Sequence, residues 1–176
     1  MENSGTIRIT VGGDTAFIAS ETLAPKQVAT PTKAKRRVRR PNDPKPKEWL
    51  ASELSKQKIA DYKPFNFVDG EGVRCSLYVS GCKFACPGCY NRAAQSFNYG
   101  FEYTKELEDQ IIADLSHDYV QGLTLLGGEP FLNTQVCLPL VKRIRQEYGD
   151  KKDIWSWSGY TWDELQKESA DKLELL

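Results

Sequence analysis

Arg74-Cys75-Ser76-Leu77-Tyr78-Val79-Ser80-Gly81-Cys82-Lys83-Phe84-Ala85-Cys86-Pro87-Gly88-Cys89-Tyr90 joins two signals in one short run. The first half, residues 74–79, alternates as a strand does, with Cys75, Leu77 and Val79 on one face and Ser76 and Tyr78 on the other. The second half is a loop punctuated by Gly and Pro, with three thiols at Cys-x3-Cys-x2-Cys spacing. Small loop residues let the backbone wrap a compact inorganic centre, so that the sulfurs of Cys82, Cys86 and Cys89 can converge on it. A four-iron, four-sulfur cluster takes four ligands, and this loop offers three thiolates, which leaves one iron open to a ligand that is not protein. Two other readings of the same thiols stand beside this one. Structural zinc takes four protein ligands in paired spacings, and Cys75, Cys137 or the single histidine, His117, would have to supply the fourth. None of the three lies at a zinc-finger offset. Disulfides fit poorly with five cysteines, an odd count, and with a start that carries no apolar leader.

Downstream, the pattern repeats as strand and helix. Residues 91–95 predict one helical turn, with Phe97 and Tyr99 packing beside it. Thr104 then caps a helix whose Leu107, Ile111, Ile112 and Leu115 share a face. His117, just past that helix, reads as a surface residue. Residues 122–126 form a buried strand that ends in Gly127-Gly128-Glu129-Pro130. Residues 135–148 predict a helix with Leu138, Val141 and Ile144 inward and Cys137 packed among them. A third strand covers 153–159, and Thr161 with Glu164 stands at capping-box spacing before a last helix. Strand-helix-strand-helix-strand-helix implies a parallel sheet with right-handed crossovers, and ligands bind at the carboxyl ends of such strands. The cysteine loop, Gly127-Gly128-Glu129-Pro130 and Ser158-Gly159-Tyr160 all fall on that edge. Paired glycines let backbone approach a ligand closely, and Glu129 can accept from a cationic amine. Taken alone, the same four residues also suit an ordinary strand-to-helix turn.

Upstream, Trp49, Leu50 and Leu54 give residues 48–58 helical spacing, and 61–72 reads as a loop with two glycines leading into the first core strand. Residues 24–46 lose apolar content and read as a disordered linker. Before it, 6–11 and 15–19 alternate around Gly12-Gly13-Asp14 as a hairpin. The 176 residues carry no net charge, but 24–47 hold nine bases against one acid, 9 − 1 = +8, which leaves −8 for the rest. An acidic body argues against nucleic acid as its partner, and a solvated tail is the plainer reading of the basic run at 33–40. No apolar run approaches bilayer length, so no membrane is implied. The cysteine usage places the chain in a reducing cytoplasm.

Cys82-x3-Cys86-x2-Cys89 followed by Gly127-Gly128-Glu129-Pro130 resembles the radical S-adenosylmethionine superfamily. The wider context, Asn66-Phe67-Val68-Asp69-Gly70-Glu71-Gly72-Val73-Arg74, Tyr78-Val79-Ser80-Gly81-Cys82, Cys86-Pro87-Gly88-Cys89-Tyr90-Asn91 and Trp157-Ser158-Gly159-Tyr160, resembles within it the family that activates anaerobic ribonucleoside-triphosphate reductase. The resemblance runs from about residue 44 to 176. It implies an α/β body built as a partial (β/α) barrel with a parallel sheet, truncated at the C-terminus, at residues 45–176. A disordered basic N-terminal extension at 1–44 lies outside the family pattern.

The resemblance also implies an oxidoreductase chemistry, residue by residue. Cys82, Cys86 and Cys89 would hold three irons of a [4Fe-4S] cluster, and the fourth iron would take the amino and carboxylate groups of S-adenosylmethionine. Glu129 with the backbone of Gly127 and Gly128 would steady the methionine amine. Gly88, Cys89 and Tyr90 would line the nucleotide, with Ser158 standing where the family often has Thr. Many superfamily members place an aromatic at the position of Gly88, so adenine stacking would pass to Tyr90. An electron from a flavodoxin- or ferredoxin-like donor would release a 5′-deoxyadenosyl radical, which would take a hydrogen from a backbone glycine of the large reductase subunit. Two alternatives remain at this point: activation of another glycyl-radical enzyme of the pyruvate formate-lyase type, and a non-catalytic zinc adaptor whose basic tail recruits nucleic acid.

Overall fold

Short apolar strands separated by amphipathic helices set the order of the elements. In the computed structural model, which describes residues 8–11, 14–17 and 41–176, β1 (Arg8–Val11) and β2 (Asp14–Phe17) pair antiparallel with Val11 opposite Asp14. This hairpin matches the alternation at 6–11 and 15–19 and belongs to a unit of its own, residues 1–38. The linker expected at 24–46 lies outside the described residues as far as residue 40, and 41–48 hold only bends and turns.

The second unit contains α1 (Ala51–Leu54), β3 (Lys58–Asn66), β4 (Val73–Val79), β5 (Phe101–Glu102), α2 (Lys105–Leu115), β6 (Val120–Gly127), α3 (Thr134–Tyr148), β7 (Asp153–Ser156), α4 (Trp162–Leu165) and α5 (Ala170–Leu175). The strands lie in the order β5-β3-β4-β6-β7. β4 pairs parallel with β6, and β6 parallel with β7, while β3 runs antiparallel to both β4 and β5. The α/β class is therefore as expected, but the sheet is mixed, and only three of its five strands are parallel.

β3 is the element that the sequence hides. Only Ile59 of its nine residues is fully buried, so it lacks the apolar alternation that marks β4. Pro64 cannot donate to a ladder, and the β3–β4 register slips between Lys63 and Asn66, the kind of irregular position at which proline is tolerated. The helix expected over 48–58 shrinks to one turn, because Ser55 adopts an extended conformation and Lys58 already belongs to the sheet. The third strand stops at Ser156 rather than reaching Gly159.

Helices α2 and α3 cover one face of the sheet. Cys75, Leu77 and Val79 of β4 and Leu123 and Leu125 of β6 pack there against Ile111 and Leu115 of α2. From α3 the fully buried side chains are Val136, Cys137, Leu140 and Ile144. Leu138 and Val141, expected inward, are only half-buried, so the inward stripe of α3 is rotated from the predicted one. Thr104 caps α2 through Leu107 N–H, and Thr161 with Glu164 forms the predicted capping box of α4.

On the opposite face the 67–72 loop lies back over the strands. Arg74 is fully buried and bonds Thr124 Oγ1 at 2.7 Å, Leu123 carbonyl at 2.9 Å and the Asp153 carboxylate at 2.6 Å, while stacking on Trp155. The Asp69 carbonyl accepts from Thr124 Oγ1 at 3.1 Å and from Trp157 Nε1 at 3.2 Å. Its carboxylate accepts from Tyr78 hydroxyl at 2.5 Å. Polar side chains on this face thus find partners in the loop instead of in a second layer of helices.

Candidate metal centre

The carboxyl ends of β4, β6 and β7 carry the three loops singled out from sequence, and the structure joins them by hydrogen bonds. Gly128 N–H donates to Val79 carbonyl at 2.7 Å, and Glu129 N–H to Gly81 carbonyl at 2.9 Å. Asn133 Nδ2 spans the same gap, reaching Glu129 carbonyl at 3.0 Å and Gly81 carbonyl at 3.4 Å, and its Oδ1 accepts from Ser55. This approach requires glycine at 128: a Cβ there would stand 2.6 Å from Gly81 oxygen. Gly81 and Cys82 are in turn tied to Ala94 and Gln95 carbonyls, which fixes the start of the cysteine loop.

Glu129 holds the third loop. Its carboxylate is 1% exposed and accepts from Ser158 Oγ at 2.8 Å, Gly159 N–H at 2.7 Å and Phe131 N–H at 3.2 Å. A carboxylate has about four lone-pair positions, so three are filled and one is left. Burial pushes the Glu129 carboxyl up to about 7, against the pull of those same donors and of Lys172.

The cysteine loop itself is anchored at its centre and open at its rim. Phe84 is 1% exposed, with its ring edge-on to Trp49 at 5.1 Å and to Tyr160 at 4.9 Å. Glycine is needed at 159 as well, because a Cβ would meet the Phe84 ring at 2.5 Å. Around this anchor Cys82 and Cys89 are half-buried and Cys86 is exposed, and Cys89 N–H closes a turn on Cys86 carbonyl. Gly88 has nothing within 4 Å of where a Cβ would stand, and Tyr90 is almost fully exposed. Cys75 and Cys137 are buried in the core away from the rim, and His117 is exposed, stacked on Tyr119. All the site residues expected from sequence therefore lie on the three loops at one edge of the sheet.

The thiols interact with one another. Burial pushes the Cys82 thiol up to about 12, and the charges of Glu129, Cys86 and Cys89 add to the rise. Loading a metal must therefore displace a proton from Cys82. Among the described residues no three Cys, His, Asp or Glu side chains are grouped to hold a single ion. A donor set of three free thiols on one loop is the sulfur-only set that a four-iron cluster takes, and it is one short of the four ligands of structural zinc. Ser80 Oγ, two residues before Cys82, is buried without a hydrogen-bond partner among the described residues.

Comparison with known proteins agrees with this donor chemistry. Residues 68–176 match the family model described as a 4Fe-4S single cluster domain. Over 116 residues the chain is 49% identical to an anaerobic ribonucleoside-triphosphate reductase-activating protein of Haemophilus influenzae, covering 64% of this chain and 74% of that one. The protein of the same description from Escherichia coli K12 is 45% identical over 119 residues, 65% of this chain and 77% of that one. One from bacteriophage T4 is 37% identical over 106 residues, 59% and 67%. The chain belongs to the anaerobic ribonucleoside-triphosphate reductase-activating protein family. Within this activating-protein family assignment, the 4Fe-4S match takes in the cysteine loop, Gly127-Gly128-Glu129-Pro130 and Ser158-Gly159-Tyr160 together. Among the described residues no helix is long and apolar enough to cross a membrane.

The site residues expected from sequence lie along the rim, but what stands behind it was missed. Trp49, read from sequence only as a helix residue, and Tyr160, read only as part of a loop, flank Phe84, and Asn133, which no local pattern marks, clips two loops. The one available signal is Phe84 itself, a large apolar side chain in a loop otherwise built of small and polar residues.

Proposed function

We propose that the chain is a radical S-adenosylmethionine enzyme that activates anaerobic ribonucleoside-triphosphate reductase by generating a glycyl radical on its large subunit. The observation that carries this reading is the three-thiol loop, bonded directly to the Gly127-Gly128-Glu129 turn. Cys82, Cys86 and Cys89 hold a [4Fe-4S] cluster. What the cluster supplies when bound is one electron for breaking the carbon–sulfur bond of S-adenosylmethionine. The chain's own residues do the rest. The backbone of Gly127 and Gly128 and the remaining lone pair of Glu129 orient the cofactor's amine, and Ser158 keeps the Glu129 carboxylate aimed. Gly88, Cys89 and Tyr90, where the rim is open, border the nucleotide. Domain 45–176 carries this chemistry and residues 1–44 are an extension to it. The electron comes from a flavodoxin- or ferredoxin-like donor in a reducing cytoplasm.

Anaerobically reconstituted protein given a strong reductant and S-adenosylmethionine is expected to release 5′-deoxyadenosine. Adding the large reductase subunit should give an electron paramagnetic resonance doublet of a glycyl radical. Protein that binds stoichiometric zinc, takes up no iron and releases no 5′-deoxyadenosine would overturn the reading.

A further inference from the structure

Behind the cysteine loop lies a buried ion pair that the chemistry above does not use. Lys172 of α5 is 0% exposed and Glu168 2%. Lys172 Nζ donates to Glu168 Oε2 at 2.9 Å, to Tyr160 hydroxyl at 3.0 Å and to Trp49 carbonyl at 2.7 Å. An ammonium has three donors, and all three are engaged. Removing such a pair from water costs about as much as the pair returns, so stability alone is a poor reason to keep it. What it does provide is a fixed meeting point for Trp49, the loop after β7 and α5. Two of its three partners, Trp49 and Tyr160, are the residues whose rings clasp Phe84, midway between Cys82 and Cys86. Tyr160 N–H also donates to Ser158 Oγ, which donates to Glu129. One buried cation is thereby linked to both the cysteine loop and the Gly127-Gly128-Glu129 turn.

We infer that Lys172, paired with Glu168, is a positioning residue for the cysteine loop: through Tyr160 and Trp49 it clasps Phe84 and so presets the three thiols before any metal arrives. The inference concerns the metal-free chain and extends the proposed function, in which those thiols are the cluster ligands. The ring contacts alone would keep Phe84 buried, but edge-on rings slide easily. The ammonium fixes the Tyr160 hydroxyl and the Trp49 backbone and thus the width of the clasp.

The test is alkylation of the metal-free protein by iodoacetamide under anaerobic reducing conditions, read per cysteine by mass spectrometry. Two variants are compared with wild type. E168L/K172M removes both charges while conserving volume, a change that leaves folding stability near neutral. Y160F keeps the ring against Phe84 but frees it from Lys172. In each, Cys82 is expected to react about tenfold faster than in wild type, as local opening becomes easier, while Cys75 and Cys137 stay protected. Cys82 protection unchanged in Y160F overturns the inference, and so does unchanged protection in a folded E168L/K172M. If the double variant unfolds, shown by loss of protection at Cys75 and Cys137, Y160F decides. A second reading uses reconstituted protein, in which the electron paramagnetic resonance lines of the reduced cluster should broaden in both variants. Failure of wild type to take up a cluster counts against the proposed function and leaves the alkylation result standing.

Discussion

Glu129 is a residue at the site whose charge the fold resists. Its carboxyl ionises at about 7 in the folded protein, because burial outweighs three hydrogen bonds and the attraction of Lys172. The unfolded chain releases the same proton near the ordinary carboxylate value. Between these two values the folded state holds more protons than the unfolded one, so stability falls as pH rises from about 4.5 to 7 and is level above that. The loss amounts to about 3 kcal/mol. Urea unfolding of the metal-free protein at pH 5, 6 and 7.5 is expected to show this slope in wild type and not in E129Q. Equal slopes in the two proteins would count against a strained Glu129. Gly159 makes a second residue-scale case. Its replacement by alanine puts a Cβ against the Phe84 ring, and overpacking of this kind costs about 1–3 kcal/mol. A G159A protein with wild-type urea midpoint and wild-type Cys82 protection would contradict the tight clasp. At this scale the sequence made the rim readable, since cysteine spacing and paired glycines are local patterns. The clasp was not readable, because it depends on residues such as Trp49 and Lys172, which lie 123 positions apart.

Among the elements, those buried by alternation were legible and those set by partners were not. β4 and β6 announce themselves, because most residues in them are buried. α2 does so through Thr104 and its apolar face. β3 has one buried side chain and a proline, so its strand conformation is imposed by pairing with β4 rather than by its own composition. α3 was recognised as a helix, and Cys137 and Ile144 fill the core as expected, but Leu138 and Val141 are as apolar as the Leu140 that takes the fully buried position. This difference has a consequence for stability. Leu140→Ala should cost about 2–5 kcal/mol, as a large-to-small change in a closed core does, and Leu138→Ala clearly less. Chemical denaturation of the two variants measures the difference. Equal losses would mean that the predicted face, and not the observed one, packs on the sheet.

For the whole body, the site is a product of topology. Three parallel strands aim their carboxyl ends at one edge; backbone bonds join the first loop to the second, and the Glu129 carboxylate joins the second to the third. That arrangement followed from the strand-helix order in the sequence. The antiparallel addition of β3 and β5 and the folding of 67–72 across the other face did not, because both depend on long-range pairing. Charge separates along the chain as well: residues 48–176 hold 14 bases and 20 acids, 14 − 20 = −6, yet no acid lies between Glu71 and Glu102. The thiols therefore sit in the longest acid-free stretch of an acidic body, and the carboxylate that bears on Cys82 comes from another loop, Glu129.

The claim on which all this rests is that three thiols hold a four-iron cluster with one iron open. Mössbauer spectroscopy of iron-57-reconstituted protein, recorded before and after addition of S-adenosylmethionine, tests it directly. One iron in four should change its spectrum on addition while the other three stay as they were. Four irons that remain indistinguishable and unmoved by S-adenosylmethionine, or iron that never assembles into a cubane on this loop, would contradict the account.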